Sequence, residues 1–276
     1  MKKIIALFLC MLLIGSMLIL SSCDDTSDDP APTEQKDDSE KKDDPPKGLE
    51  TLNGKTPKEL YNEALATLAS YTNYQMTTTQ LITMSAQGQS QDINQIVITK
   101  MDGNESYVKM TNDMDSSANM ETWYVDEWLY TISKGTSAKA NITWEEMQEK
   151  FMPEGAGSDS ALMNIPESWY KDIRFMEDGE NYYLEFIVSG EEYCEYMQST
   201  ALGDQLQGVD DVSYKVYFDK DGNLGEIVTE FDYVVKEGSL TIQCHAVSTS
   251  YISNVGNVSI EAPENADSFI DVTGRI

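Results

Sequence analysis

The pattern of hydrophobic and polar positions along the chain predicts one helix followed by a long series of strands. The helix begins after Thr56, a suitable N-cap, with Pro57 at the first helical position and Glu59 three residues after the cap. Apolar residues then recur at helical spacing, and we expect the helix to end near Ser70. Beyond it the pattern alternates as in strands. The predicted strands span residues 73–86, 91–100, 105–112, 119–125, 127–133, 168–176, 181–188, 212–219, 224–236 and 239–252.

Short turn sequences separate these strands and indicate antiparallel hairpins. Gln87-Gly88 and Glu237-Gly238 each fall between two consecutive strands, and Gly and Asn tolerate the backbone angles that tight turns require. Within 239–252, apolar and polar side chains alternate. Alternation of this kind places one face of a sheet in the core and the other in water.

Two further helices are predicted between the strands. Thr143 with Glu146, and Ser189 with Glu192, match the capping-box spacing ahead of apolar residues. Their apolar sides need a surface to cover. The expected fold is therefore mainly β, of the α+β type, with a curved antiparallel sheet or half-barrel and a few helices covering its concave face.

The first residues have the pattern of a bacterial export signal. Two lysines precede an apolar run at 4–20, and two serines separate that run from Cys23. Leu20–Cys23 (LSSC) matches the lipobox, which predicts a signal peptide over 1–22 and a diacylglyceryl group on Cys23. An uncleaved spanning helix is the alternative, although a run of about 17 residues is short for a bilayer. We expect a lipid-anchored protein on the outer face of the bacterial cytoplasmic membrane.

An acidic segment follows the lipobox. Residues 24–48 contain ten acidic and four basic residues, and no aromatic or large aliphatic residue. Such a segment cannot bury enough apolar area to offset the entropy lost on ordering. We predict an acidic disordered tether over 23–48 and a single domain over 49–276.

Composition narrows the function. The formal charge of −29 repels phosphate backbones, so a nucleic-acid partner is not expected. One His and four Cys leave few side chains for zinc sites or His-based triads. We expect no enzyme activity, no cofactor and no metal, and a monomeric chain.

Two cysteines belong to the predicted domain. Cys194 lies in a predicted helix and Cys244 on the apolar side of a predicted strand, and the exported compartment permits a bond between them. A disulfide is one outcome, and two buried free thiols are the other.

Aromatic residues concentrate in the middle third of the chain. Aromatic and methionine side chains adapt to irregular apolar ligands, but they also fill ordinary cores. Both interpretations stay open. The candidate ligand-lining residues are Trp123, Trp128, Tyr130, Trp144, Phe151 and Trp169.

The element order and three motifs resemble the lipoprotein-carrier superfamily of the LolA/LolB and LppX/LprG type, and more narrowly Firmicutes lipoproteins of that shape. The motifs are Thr56–Tyr61 (TPKELY), Glu121–Val125 (ETWYV) with Trp128–Tyr130 (WLY), and Tyr217–Gly222 (YFDKDG). The resemblance covers residues 50–262. It implies a half-barrel of antiparallel sheet around helices, with an apolar cavity that can hold acyl chains.

Two functions follow as expectations. The first is a cell-envelope lipoprotein that binds a lipid or other lipophilic ligand non-covalently in an apolar cavity. The second is an envelope interaction module without a small-molecule ligand, which would have a filled core and an exposed aromatic patch.

Overall fold

The computed structural model describes residues 51, 54–114, 116, 119–151, 169–178, 181–197, 206–218 and 224–274. The predicted signal peptide (1–22), Cys23 and the tether (23–48) lie outside the described residues. Among the described helices, none has the length and apolar character needed to cross a membrane.

Thirteen strands of the described chain form one open, curved sheet. Neighbouring strands are antiparallel, except that the last strand pairs in parallel with β6. The order in the sheet is β13-β6-β5-β4-β3-β2-β1-β12-β11-β10-β8-β7, with β9 beside β11. The strands are β1 (Asn73–Ala86), β2 (Gln89–Asp102), β3 (Glu105–Asn112), β4 (Met120–Val125), β5 (Trp128–Ser133), β6 (Thr136–Asn141), β7 (Tyr170–Asp178), β8 (Asn181–Val188), β9 (Leu206–Val209), β10 (Val212–Phe218), β11 (Leu224–Glu237), β12 (Leu240–Ser253) and β13 (Ile270–Asp271).

Tight turns join the long hairpins at the predicted places. Gln87 and Gly88 between β1 and β2 have φ of 53° and 78°, so both central residues are left-handed. Two such residues make the type I′ turn, whose twist matches that of the strands it joins. The hairpin register follows, from Asn73 opposite Asp102 to Ala86 opposite Gln89.

The helices are α1 (Pro57–Ala69), α2 (Trp144–Phe151) and α3 (Gly190–Met197). α1 begins with the predicted capping box. The N–H of Thr56 donates to Oε2 of Glu59 at 2.8 Å, and the N–H of Glu59 donates to Oγ1 of Thr56 at 3.4 Å. These bonds satisfy backbone donors that the helix itself cannot.

The other two helices begin at predicted positions by different means. At α2 the N–H of Thr143 donates to Oε2 of Glu146 at 3.1 Å, and the N–H of Glu146 donates to Oγ1 of Thr143 at 3.2 Å. At α3 the N–H of Gly190 donates to Oδ1 of Asp211 at 3.1 Å. Hydrogen bonds from the Lys171 ammonium and from this N–H hold the pKa of Asp211 below its usual value.

The strand register divides the sheet into two faces. Ile82 of β1 lies opposite Ile93 of β2 and Ala246 of β12, and Ala246 lies opposite Phe231 of β11. Cross-strand partners project to the same side. We call the side that carries these four residues the inner face and the opposite side the outer face.

The three α-helices of the described residues all cover the inner face. The first cluster joins β1, β2, β3, β11 and β12, and Tyr193 of α3 packs against it. The second cluster joins β7, β8 and β10, and Tyr61 of α1 lies 5.1 Å from the Phe186 ring within it. A further cluster joins Met147 of α2 to Tyr124 of β4. A fourth cluster, on β1 and β2, comprises Tyr74, Met76 and Met101. The mainly β fold with helices on one face of an antiparallel sheet is confirmed.

Three strands were not predicted. β6 has the sequence TSAKAN, which contains no large apolar residue, and β9 and β13 are only four and two residues long. Sequence periodicity needs several alternations of large side chains, and none of these segments supplies them.

Candidate functional site

Three of the six predicted lining residues lie on the outer face. The register places Trp123 between Tyr107 and Tyr130, and the Trp123 and Tyr107 rings are 5.2 Å apart. Trp128 lies on the same face, 6.4 Å from the Tyr130 ring. Phe269, near the C-terminus, packs edge-on against Tyr130 at 5.7 Å. These aromatic side chains are therefore on the side of the sheet opposite the helices.

The other three predicted lining residues lie in separate places. Trp144, at the start of α2, packs 5.3 Å from Tyr124 on the inner face. Trp169 precedes β7 and packs against the second cluster, at the other end of the strand order from β4 and β5. Phe151 ends α2, and its side chain lies outside the described part. The structure does not bring the six residues into one lining.

Cys194 and Cys244 are both free thiols in the structure. Cys244 is buried in the first cluster, and Cys194 is half-buried and packs against the same cluster. Burial raises the pKa of the Cys244 thiol to about 11, although its hydrogen bond with Tyr233 acts in the opposite direction. A thiol with such a raised pKa remains protonated near neutral pH and behaves as an apolar core group.

A row of uncharged polar side chains crosses the inner face. Successive partners in register occupy neighbouring strands, so their side chains form one continuous stripe over five strands. We call this stripe the polar row. Its members, from β11 through β12, β1 and β2 to β3, are Thr229, Ser248, Gln80, Gln95 and Asn112.

The environment on both sides of the polar row is uncharged. On one side lies the apolar row of Ile82 and Ile93, which belongs to the first cluster. On the other side Thr78 and Ser250 share a hydrogen bond of 2.8 Å between their hydroxyls, and Val97 continues that row onto β2. A polar stripe is therefore enclosed by core side chains.

Gln95 lies near the middle of the polar row, and its side chain is only 2% exposed. In the described part of the chain neither its Oε1 nor its Nε2 has a hydrogen-bond partner. The same is true of Oγ1 of Thr99, which lies four residues further along the same face and is 4% exposed. Buried amide and hydroxyl groups in proteins are nearly always paired. These three atoms therefore form a candidate recognition site for a hydrogen-bonding group.

This site was missed in the sequence, although a signal is present. From Ile93 onward the inner positions of β2 carry Ile93, Gln95, Val97, Thr99 and Met101, so two polar residues interrupt an otherwise apolar alternation in this part of the strand. Apolar alternation predicts which side chains are buried. It does not show which strands are neighbours, and the polar row exists only through that pairing.

A cavity of about 440 Å³ lies beside the only histidine of the chain. Its lining includes His245, Thr83 and Asp232, which project from the outer face, and Asp210. His245 Nδ1 lies 3.0 Å from Oδ1 of Asp232, and its Nε2 lies 3.6 Å from Oε1 of Glu230. His245 thus lies on the polar outer face of β12. A half-exposed site with these acidic groups suits a small polar group, not an acyl chain.

Comparison with known proteins gives likenesses in structure only. No family model and no curated protein matches the sequence. Solved structures similar to this chain include the lipoprotein LppX of Mycobacterium tuberculosis, with 9% identity and a TM-score of 0.34 over 75% of this chain and 99% of that one. A LolA superfamily protein of Nitrosomonas europaea has 11% identity and a TM-score of 0.26 over 76% and 96%. A DUF1329 family protein of Desulfovibrio piger has 9% identity and a TM-score of 0.26 over 75% and 95%.

An LppX and a LolA superfamily structure, from the superfamily that the sequence motifs resemble, are among these matches. Identities of 9–11% and TM-scores of 0.26–0.34 carry no information about ligand or activity. Evidence for ligand and activity has to come from the chain's own residues.

Proposed function

We propose that this chain is a cell-envelope lipoprotein that binds a lipid or another lipophilic ligand non-covalently against the inner face of its sheet. In this proposal Cys23 carries the diacylglyceryl anchor on the outer face of the bacterial cytoplasmic membrane, and residues 24–48 separate the domain from that membrane. Two acyl chains are sufficient for stable anchoring, whereas one is marginal. Binding of this kind requires no covalent chemistry, so the function we propose is not an enzymatic one.

The observation that carries this proposal is the composition of the inner face. The first cluster is surrounded by half-buried apolar side chains, several of which are methionines, including Met84, Met114 and Met120. Methionine has three rotatable bonds and a polarisable sulfur, so it adapts to ligands of irregular shape. Apolar area removed from water supplies about 25 cal/mol per Å² of binding free energy before the costs of association. A flexible apolar surface beneath helices suits an acyl chain.

The proposal is tested by native mass spectrometry with solvent extraction of the bound material. The full chain carrying Cys23→Ala is purified from a bacterial host, so that its own predicted anchor does not contribute lipid. We expect a reproducible bound mass that extracts into organic solvent. A clean unliganded mass, even after incubation with membrane lipids, contradicts the proposal.

A pair of aspartate substitutions locates the binding surface. Met120→Asp places a carboxylate against the first cluster on the inner face, and Ile96→Asp places one on the outer face, where Ile96 is 44% exposed. We expect Met120→Asp to lose most of the bound lipid, since an unpaired carboxylate is costly beside apolar surface. Ile96→Asp has the same change in charge and should retain it. Equal lipid content in the two variants contradicts binding at the inner face.

A second function, the envelope interaction module, is favoured by one observation. Leu81 and Ile96 of adjacent strands are 39% and 44% exposed on the outer face, and Tyr251 is also exposed there. Exposed apolar side chains grouped on a sheet face are typical of contact surfaces. An unliganded mass together with loss of a binding partner in Ile96→Asp would favour this function.

A further inference from the structure

The inner face carries two buried polar groups that its packing does not explain. An apolar residue at position 95 or 99 would serve an ordinary core better, because a buried polar atom without a partner loses its hydration and gains nothing in return. Gln95 and Thr99 project from the same strand to the same face, with Val97 between them. Both are more than nine-tenths buried.

From this geometry we infer that Gln95 and Thr99 bind an uncharged hydrogen-bonding group, such as the ester and hydroxyl of an acylglycerol, in the interior of a lipophilic ligand. The inference rests on the proposed function and specifies its ligand class. The amide of Gln95 offers an acceptor at Oε1 and two donors at Nε2, and the Thr99 hydroxyl can act in either role. A ligand with both a carbonyl and a hydroxyl matches all three atoms.

The charge of the surrounding rows defines the ligand class further. The polar row, the row of Thr78 and Ser250, and the row that contains Thr99 have no charged member on strands β1, β2, β3, β11 and β12. In a chain with 48 acidic and 19 basic residues, this is a substantial uncharged area. Burial of a carboxylate or phosphate without a partner is costly. The site therefore selects a neutral group over an anionic one.

Neighbouring polar residues do not remove the need for a ligand group. Gln80 lies directly opposite Gln95, yet the Gln95 amide makes no hydrogen bond within the described residues. Thr78 and Ser250, one row away, satisfy each other at 2.8 Å. Buried polar residues on this face can thus pair, as Thr78 and Ser250 do, whereas among the described residues the buried polar atoms of Gln95 and Thr99 have no partner.

The test compares three twelve-carbon probes against the full chain carrying Cys23→Ala, with binding followed by native mass spectrometry and calorimetry. The probes are 1-monolauroylglycerol, which has an ester and hydroxyls, laurate, which has a charged carboxylate, and dodecane, which has no polar group. We expect monolauroylglycerol to bind at least about tenfold more tightly than dodecane, since two or more net hydrogen bonds contribute that much. Laurate should bind more weakly than the neutral ester.

Two variants assign the preference to the site. Gln95→Leu and Thr99→Val each remove the polar group with little change in volume. Each should lower affinity for monolauroylglycerol about tenfold and leave dodecane binding unchanged. The matched controls are Gln243→Leu and Thr79→Val, which make the same changes at exposed outer-face positions. Both controls should retain the preference for the ester.

The outcomes separate the inference from the function on which it rests. If the chain binds none of the probes, the proposed function fails. If it binds dodecane as tightly as monolauroylglycerol, or if Gln95→Leu and Thr99→Val weaken both probes equally or neither, the function stands and the inference is overturned. Because Thr99→Val is nearly isosteric, it keeps the test decisive even where Gln95→Leu fails to fold.

Discussion

One polar pair and one unpaired polar residue lie side by side on the inner face of the sheet. The hydroxyls of Thr78 and Ser250 face each other across β1 and β12 and form one hydrogen bond. Gln95 of β2 belongs to the adjacent polar row and is also buried. Its side chain has no hydrogen-bond partner in the described part of the chain. A buried polar group left without a partner costs about 1–3 kcal/mol. The Gln95 side chain therefore lowers the stability of the unliganded protein.

Gln95→Leu should stabilise the delipidated full chain. The substitution removes two unpaired polar atoms and adds apolar contacts with Ile93 and Val97 on the same face. We expect the free energy of unfolding to rise by about 1–3 kcal/mol, measured by urea denaturation.

The exposed residue Gln243 provides the control for this prediction. Gln243 lies on the outer face of β12. Gln243→Leu should change the free energy of unfolding by less than about 0.5 kcal/mol. A loss of stability in Gln95→Leu would contradict the prediction. It would show that the Gln95 amide is structurally required and is not held for a ligand.

The start of α3 illustrates how an element depends on another strand. Its first N–H, from Gly190, is capped by Asp211, which also accepts two hydrogen bonds from Lys171 of β7. Gly190 lies so close to the chain at Val209 and Asp210 that a side chain there would overlap their backbone oxygens. The absence of a Cβ at 190 is therefore what allows α3 to sit beside β9.

Gly190→Ala should destabilise the protein. Its added methyl group meets backbone atoms of Val209 and Asp210, which cannot rotate away as a side chain could. We expect a loss of about 1–3 kcal/mol in the free energy of unfolding. Gly208→Ala is the matched control, because a Cβ at Gly208 has no heavy atom within 4 Å. Equal effects of the two substitutions, measured by thermal or urea unfolding, would contradict the predicted overlap.

Much of the element pattern could be predicted because local chemistry determines it. The Thr56 and Thr143 capping boxes lie within four residues of sequence, and both form as expected. The Gln87-Gly88 turn depends only on residues that accept positive φ, and it sets the β1–β2 register. β6 was missed because its order comes from pairing with β5, which its own sequence does not indicate.

The candidate site was much less predictable, since it depends on which strands are neighbours. Trp123 and Tyr124 are adjacent in sequence, yet the first lies on the outer face and the second contacts α2 on the inner face. Grouping aromatic residues by sequence position therefore combined two sides of one sheet. Nothing in the local sequence relates Gln95 to Gln80. The β1–β2 register places the two residues opposite each other.

At the scale of the whole molecule, the charge and the lipid anchor have opposite effects on membrane attachment in the proposed function. The chain carries a formal charge of −29, and ten of its acidic residues lie in the predicted tether. Anionic headgroups repel such a segment. The proposed diacylglyceryl group on Cys23 must then supply the membrane attachment, because the charge opposes it.

Cys23→Ala should therefore release the protein from the membrane. Without the acylated thiol, the negative charge leaves no attraction to the lipid surface. Fractionation of bacterial cells should place the variant in the soluble extracytoplasmic fraction and the unaltered chain in the membrane fraction. Cys244→Ala is the control and should remain with the membrane. Persistence of Cys23→Ala in the membrane fraction, resistant to high salt, would contradict the anchor.

The two edge strands of the sheet affect how copies of the protein would associate when many of them are anchored close together on a membrane. One border ends in β13, a two-residue strand held by the N–H of Val272 bonding to the carbonyl of Lys139. The other, β7, is irregular between Lys171 and Arg174, where Asp172 has a φ of 52°. Long regular borders act as templates onto which a second chain can add, and short or bulged ones do not. Within the described residues, neither border therefore offers a long regular edge through which copies crowded on a surface could polymerise into fibres.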